Sequence, residues 1–315
     1  MHRKKSDPEI LSDSDSKLKM DNKRDELKVF WFIGIVLLLS WATVFFIQVL
    51  GLSWSPMATI MIFPMILAAV FILVSKKDGF SNIGWKLPNL KFMAVSVFLP
   101  IVQMAAVIGL NAALGQISYN EKHILAHKPT SNIGLNLALC LPGMFLPFVL
   151  LSLPNFIVGW INHLSEEFAW RGYLFRTISR NRKSYLKGAL ISGIVWWAWH
   201  LPMFWLSPVL THLRPGYIVL TIIVSFFALL GTTCIYSWIY LQSGSIWTPT
   251  IMHFSWNLFR GILTGRLADG SPGLFKGDLC VINGEGLIGN VVSILVGGIF
   301  LYLIVRLDRE KFIHL

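Results

Sequence analysis

Residues 30–75 read FWFIGIVLLLSWATVFFIQVLGLSWSPMATIMIFPMILAAVFILVS, and no residue in this stretch carries a charge. An ordinary soluble domain does not continue for such a length without Asp, Glu, Lys or Arg. About 20 consecutive apolar residues are enough for a helix to cross the hydrocarbon core of a bilayer. The stretch therefore predicts two membrane-spanning helices near the start of the chain.

The rest of the chain repeats this pattern: of its 315 residues, 55% are hydrophobic and only 14% are charged. Apolar runs separated by charges, Pro and Gly predict an all-α, polytopic membrane helix bundle of about eight transmembrane helices. The predicted spans are residues 29–50, 56–75, 92–115, 137–170, 188–207, 217–241, 245–264 and 287–305. The fourth span is too long for one perpendicular crossing and contains three prolines. We expect it to tilt, kink or begin in an interfacial piece.

The distribution of Lys and Arg predicts the orientation, because cytoplasmic loops are enriched in these residues. Bases are concentrated before the first span, after the second and fourth spans, and at the end of the chain. Both termini are therefore predicted to be cytoplasmic, in a multi-pass protein of the cell membrane. The net charge of +11 follows mostly from this asymmetry. Because the bases flank the spans, we expect them to contact membrane lipids and no nucleic acid.

Two adjacent carboxylates, Glu166 and Glu167, lie in the fourth predicted span and are the only acidic residues in any predicted span. An ionised side chain near the bilayer centre costs about 2.5–3.5 kcal/mol on insertion scales. Such carboxylates usually face the interior of a bundle and have a function. The alternative is a structural ion pair between Glu167 and Arg171, which lies one helical turn further on.

Two histidines of other spans lie at the same predicted depth as the glutamates. Glu166 lies about ten residues, or about 15 Å of helix, before the basic loop that follows the fourth span. His200 and His253 lie about twelve and eight residues past the cytoplasmic starts of the fifth and seventh spans. Asn257 shares a helix face with His253. A common depth favours one buried site over unrelated packing histidines.

Three short motifs occur in order, each on its own apolar helix: Glu166-Glu167-x-x-x-Arg171, Trp196-x-x-x-His200 and His253-x-x-x-Asn257. This series resembles the CPBP family, which contains CAAX-type endopeptidases and bacteriocin-processing or self-immunity proteins. The family pattern is Glu-Glu-x-x-x-Arg, Phe-x-x-x-His and His-x-x-x-Asn or Asp. The resemblance covers about residues 137–264, under half of the chain. Trp196 replaces the usual Phe, which we expect to alter wall packing more than catalysis.

Peptide hydrolysis requires an activated water, stabilisation of the oxyanion and a proton donor for the leaving amine. The resemblance implies that Glu166 and His200 position and deprotonate the water. It also implies that His253 and Asn257 donate hydrogen bonds to the tetrahedral oxyanion.

Supporting roles are implied for Glu167 and Arg171, with Arg171 binding Glu167 so that this carboxylate braces the site. His163 is outside the family pattern, although it lies one turn before the glutamates. We interpret it as a hydrogen-bonding residue behind the site rather than as a catalytic group.

A zinc site is the open mechanistic alternative, with Glu166, His200 and His253 as ligands and one free position. The sequence lacks the compact His-Glu-x-x-His helix. In addition, His163-x-x-Glu166-Glu167 has Glu where the inverted zinc motif requires a second His. The expected cofactor is therefore none or zinc, and a metal-free site is preferred.

The predicted organisation has four regions. They are a polar cytoplasmic tail expected to be disordered or weakly helical (1–28), helices 1–3 (29–132), a catalytic core of helices 4–7 (133–265), and an outer loop with the last span and a short cytoplasmic tail (266–315). No cleavable signal peptide is expected, because the first apolar run has the length of a true span. The three scattered cysteines indicate neither a disulfide framework nor a metal cluster.

The predicted function is an intramembrane endopeptidase that uses a Glu/His-activated water on a membrane-associated peptide or protein, in the cytoplasmic half of the bilayer. A non-catalytic membrane immunity or interaction protein is one alternative. A proton-coupled transporter is another, because buried carboxylates and histidines also form proton relays. The polar residues cluster in spans four, five and seven without a repeat that relates two halves, which disfavours transport.

Overall fold

A computed structural model describes residues 8–51, 60–74, 79–120, 157–206, 215–266 and 272–313. Most of these residues are helical. Within these ranges a single antiparallel strand pair occurs, in which β1 (Ser118–Tyr119) pairs with β2 (Phe275–Lys276). The all-α class predicted from the sequence is therefore confirmed.

The helices follow one another along the chain as α1 Pro8–Val49, α2 Ile62–Val74, α3 Leu90–Ala113, α4 (residues 157–167), α5 Arg176–Asn181, α6 Tyr185–Leu206, α7 Pro215–Ser243, α8 Trp247–Thr264, α9 Leu279–Ile282 and α10 Leu287–Ile313. A π-helical segment, Phe168–Phe175, connects α4 directly to α5. A 3₁₀ turn, Phe80–Ile83, precedes α3.

Among the described residues, four helices are long and apolar enough to cross a membrane: Lys23–Val49, Leu90–Ala113, Pro215–Ser243 and Leu279–Glu310. They coincide with the first, third, sixth and eighth predicted spans, so the chain is a helical membrane protein. The second predicted span contains the shorter apolar helix α2. Helices α6 and α8 occupy the fifth and seventh predicted spans, and α8 is the more polar of the two. Much of the fourth predicted span lies outside the described residues.

The polar N-terminal segment differs from the disordered or weakly helical tail expected from its composition. Helix α1 begins at Pro8 and continues without interruption into the first span. Helix formation is cooperative, so an existing helix can extend by ordering one further residue for each hydrogen bond that it gains. Asp25, on this extension, is only 4% exposed and accepts a hydrogen bond from Arg180 Nη2 at 3.2 Å. This contact fixes the start of the first span against α5.

The π segment forms the centre of the bundle, and all eight of its residues are buried. It packs against α2 and α6. The Trp170 ring lies 6.0 Å from the Trp199 ring, and the Tyr173 ring lies 4.9 Å from the Phe32 ring. Trp199 Nε1 also donates to Ser40 Oγ at 2.8 Å, which connects α6 to α1. The segment that follows the glutamates is therefore held from several sides.

Helices α7 and α10 approach each other closely where small residues meet. A Cβ atom placed on Gly297 would lie 2.2 Å from Gly231 Cα, and one placed on Gly231 would lie 2.8 Å from the Ser293 carbonyl oxygen. Ser293 and Gly297 are four residues apart on α10, the small-xxx-small arrangement that allows helices to pack backbone to backbone. This crossing fixes α7, which contributes a wall to the site.

Candidate active site

Glu166 and Glu167 lie at the junction of α4 and the π segment. In a π turn the backbone hydrogen bond closes five residues along the chain instead of four, and such turns are frequent at functional sites. Ser165 Oγ donates to the Met61 carbonyl oxygen at 2.5 Å, which fixes this junction next to α2. The two glutamates are 1% and 0% exposed. Their carboxylates therefore lie inside the bundle, as predicted.

Glu166 faces α6, where its Oε2 accepts a hydrogen bond from Trp196 Nε1 at 2.6 Å. His200 follows one turn later, with Nδ1 2.8 Å from the Trp196 carbonyl oxygen and its ring 5.7 Å from the Trp196 ring. A carbonyl oxygen can only accept, so His200 carries a proton on Nδ1. In the neutral ring, Nε2 is then the nitrogen that can accept a proton.

Glu167 faces α8 and belongs to a different cluster from Glu166. Its Oε1 accepts a hydrogen bond from Arg171 Nη1 at 3.0 Å and lies 3.0 Å from His253 Nδ1. The Arg171 guanidinium lies 4.6 Å from the Trp196 ring centroid and 4.9 Å from the Tyr236 ring centroid. The predicted Glu167–Arg171 ion pair is therefore present, and His253 is its third member.

Asn257 is in contact with His163 and Arg260. Arg260 Nη2 donates to Asn257 Oδ1 at 3.0 Å, and Asn257 Nδ2 lies 2.6 Å from His163 Nε2. His163 Nδ1 lies 2.5 Å from the Gly159 carbonyl oxygen and so carries the proton. Its Nε2 can therefore accept from Asn257. Each donor therefore faces an acceptor in this series of hydrogen bonds, which runs from Arg260 through Asn257 and His163 to the Gly159 carbonyl oxygen.

The structure brings the predicted residues of α4, α6 and α8 together around the indole of Trp196. This ring hydrogen-bonds Glu166, stacks against Arg171 and lies 5.4 Å from the His253 ring. The His163 and His253 rings are 4.5 Å apart in an edge-to-face contact, which brings the Asn257 cluster to the same place. Trp196 was expected to act only in wall packing, and its hydrogen bond to Glu166 was not predicted.

Three features of the site were not predicted from the motifs. Asn257 engages His163, which the family pattern does not include. Arg260 was missed, although its position three residues after Asn257 places both on one helix face. Tyr236 was also missed, because it belongs to no motif and reaches the site only through the packing of α7.

The predicted zinc ligands do not form a metal site in this arrangement. In the described ranges, no group of three or more His, Cys, Asp or Glu side chains is placed to hold a metal ion. The carboxylate of Glu166 is directed to Trp196, while His253 is directed to Glu167.

Residues 145–259 match the family model described as Rce1-like, type II CAAX prenyl endopeptidase. Over these residues the chain is similar to the Rce1-like family. This region contains all three motifs and extends through most of α8, so it confirms the resemblance seen in the sequence and supports a CAAX-type membrane protease. It covers less than half of the 315 residues. None of the curated proteins compared with the chain matched it.

Proposed function

We propose that the Rce1-like region hydrolyses a peptide bond in a membrane-associated peptide or protein with a water activated by Glu166 and His200. The observation that carries this proposal is the convergence of buried Glu166 and Glu167 with the side chains of α6 and α8. Each carboxylate contacts a different helix, through Trp196 and through His253. A purely structural ion pair requires only Glu167 and Arg171.

In the first step, a water bound between the Glu166 carboxylate and His200 Nε2 attacks the carbonyl carbon of the peptide bond. One proton of the water passes to the carboxylate of Glu166 as the new carbon–oxygen bond forms. Trp196 Nε1 orients this carboxylate through the bond to Oε2, which leaves Oε1 for the water. The His200 proton on Nδ1 fixes Nε2 as the acceptor that positions the water.

The tetrahedral oxyanion needs hydrogen-bond donors. His253 already directs Nδ1 toward Glu167, so it can donate from Nε2 only as an imidazolium ion. The Glu167 carboxylate holds the His253 ring in place through Nδ1, which gives Glu167 a specific supporting role. Collapse of the oxyanion breaks the carbon–nitrogen bond, and the proton held by Glu166 passes to the leaving amine.

Asn257 supplies the second donor, and its orientation is set by two neighbours. The side-chain NH₂ group has two hydrogens, of which one is directed to His163 Nε2. The other hydrogen is available for the oxyanion. Arg260 donates to Asn257 Oδ1, which prevents the amide from turning its oxygen toward the substrate. His163 and Arg260 are therefore positioning residues in this proposal.

The proposed membrane arrangement has eight crossings with both termini cytoplasmic, and it places the site in the cytoplasmic half of the cell membrane. The positive-inside distribution of Lys and Arg supports this orientation. The proposed site is metal-free, with membrane lipids and a membrane-associated substrate as partners and no nucleic acid. The family match makes a prenylated CAAX peptide the first substrate to test.

The test uses the full-length protein in liposomes and a fluorogenic farnesylated peptide that ends in a CAAX sequence. In parallel, mass spectrometry compares membrane peptides from cells with and without the protein. Glu166→Gln and His200→Gln should each reduce cleavage at least a hundredfold, while the exposed control Lys187→Gln should leave it unchanged. Cleavage or a cellular phenotype that survives both substitutions would refute the enzymatic proposal and favour an interaction protein.

The proposed positioning role of His163 is tested by changing the acceptor that this residue offers to Asn257. His163→Leu removes the acceptor and should lower kcat about tenfold with little change in KM, because one oriented hydrogen bond contributes about 0.5–1.5 kcal/mol. His163→Gln retains an acceptor oxygen and should restore part of kcat. Equal loss in both variants would indicate that His163 serves only packing.

A further inference from the structure

A cavity lies away from the glutamates, at the opposite end of the π segment. It measures about 250 Å³ and is lined by side chains of α5, α6, α7 and their connections: Phe175, Arg176, Ser179, Arg180, Lys183, Tyr185, Tyr240 and Leu241. We name it the basic pocket. Its lining contains three bases and no acidic side chain.

The ends of three candidate spans place this pocket at a membrane surface. Tyr240 and Leu241 lie in the last turn of the span Pro215–Ser243. Arg180 contacts Asp25 near the start of the span Lys23–Val49. Asp308 lies near the end of the span Leu279–Glu310, and it accepts a hydrogen bond from the Tyr185 backbone at 2.6 Å. The pocket therefore lies at the level of lipid headgroups.

The backbone at Lys183 is unusual for a residue with a side chain. Its φ is +51°, in the left-handed region that favours glycine. The Lys183 N–H bonds to the Arg180 carbonyl oxygen, and the Ser184 N–H bonds to the Ser179 carbonyl oxygen. These two bonds form a Schellman motif at the end of α5, in which the left-handed position is most often Gly. The chain has a charged residue there, and it lines the basic pocket.

Ser179 gives independent evidence for a ligand. Its side chain lines the pocket, is only 4% exposed, and its Oγ has no hydrogen-bond partner among the described residues. A buried hydroxyl without a partner is costly. The Oγ atom lies against Gly188 of α6, where an added Cβ atom would overlap it. A change of the Ser179 rotamer would turn the hydroxyl to a ligand with acceptor oxygens.

We propose that the basic pocket binds the phosphate group of an anionic phospholipid. Phosphate oxygens match both the bases and the Ser179 hydroxyl, and basic pockets between transmembrane helices are suited to anionic headgroups. A positive charge near a helix C-terminus or on a cytoplasmic loop would account for the bases alone. It would account for neither the cavity nor the left-handed Lys183. The proposal does not depend on the protease activity.

The test measures binding of dihexanoyl phosphatidylglycerol to the full-length protein in a neutral detergent by isothermal titration calorimetry, with dihexanoyl phosphatidylcholine and inorganic phosphate as comparisons. The wild-type protein should bind phosphatidylglycerol in preference to both. Lys183→Gly should weaken this binding about fivefold, the effect typical of one base near an anionic headgroup. Ser179→Ala should weaken it as well.

The choice of Lys183→Gly separates binding from folding, because glycine relieves the left-handed backbone. The lipid-free melting temperature should therefore stay equal or rise while affinity falls. Lys187→Gln is the matched control, since Lys187 is an exposed base on α6 outside the pocket, and this variant should bind like the wild type. Unchanged affinity in Lys183→Gly, or an equal loss in Lys187→Gln, would overturn the proposal. Equally strong binding of inorganic phosphate would assign the pocket to a soluble anion instead.

Discussion

Arg171→Met should destabilise the protein strongly, because it leaves the Glu167 charge without its cation. Both side chains have no exposed area, and Arg171 Nη1 lies 3.0 Å from Glu167 Oε1. At an effective dielectric constant of about 20, two unit charges this close attract by about 5 kcal/mol. Measured losses on removing one partner of a buried pair are about 3–5 kcal/mol. We expect the free energy of unfolding to fall by about 3–5 kcal/mol.

A double substitution separates the electrostatic cost from packing. Methionine keeps an unbranched apolar stem beside Trp196 and Tyr236. In Glu167→Gln/Arg171→Met no uncompensated charge remains, so most of the lost stability should return. Cleavage should not return, because the neutral amide of Gln holds the His253 ring less firmly than the Glu167 carboxylate does. Recovered stability without recovered activity is the result expected from the proposed role of Glu167.

The four proteins compared are the wild type, Glu167→Gln, Arg171→Met and the double variant. Each is purified and unfolded at equilibrium by SDS titration in mixed micelles, and unfolding is followed by circular dichroism. Cleavage is measured on the same samples. The coupling free energy between Glu167 and Arg171 comes from the double-mutant cycle. A coupling below about 1 kcal/mol, the range of solvent-exposed pairs, would contradict the buried ion pair. Full activity in the double variant would contradict the function assigned to Glu167.

Three further results are expected. Trp196→Phe should lower kcat about tenfold, because Glu166 loses a hydrogen bond to a charged group that contributes about 1.5–3 kcal/mol; unchanged kcat would show that the indole only fills space. Gly297→Leu should lower the melting temperature by forcing α7 and α10 apart, whereas Gly298→Leu, which meets no atom within 4 Å, should not; equal melting temperatures would contradict the close crossing. Cleavage should survive exhaustive dialysis against a chelator, and stoichiometric zinc whose removal abolishes cleavage would refute the metal-free proposal.

The convergence of the three motifs could be predicted, because it follows from the depth of each residue in its span and from the residue spacing within each helix. Depth and the spacing of four residues placed Glu167 beside Arg171, and His253 and Asn257 on one face. The same rules predicted that α4, α6 and α8 would meet, and the contacts of Trp196 and His253 agree with this. The apolar runs also predicted the four candidate spans within about six residues, apart from the longer start of the last.

Other features depend on tertiary contacts that no local pattern encodes. The π segment is one, since its composition resembles that of an ordinary buried helix. The partner of His163 is another, because it depends on the rotation of α8 about its axis. The helical N-terminal extension was missed because its polar composition favours disorder. Its continuity with the first span and the contact of Asp25 with Arg180 favour a helix.

The length of the π segment also determines how two parts of the molecule are oriented relative to each other. It lies between the glutamates and α5, so the proposed active site and the basic pocket are connected by one continuous helix. Removing a single residue from Phe168–Phe175 would allow an ordinary α-helix to form and would rotate everything beyond it by about 100°. A deletion before Arg171 would move its side chain away from Glu167, and any deletion would turn the α5 residues of the basic pocket away from α7. Insertions and deletions should therefore be far more damaging in this segment than substitutions, which makes its length a constraint on any redesign of the protein.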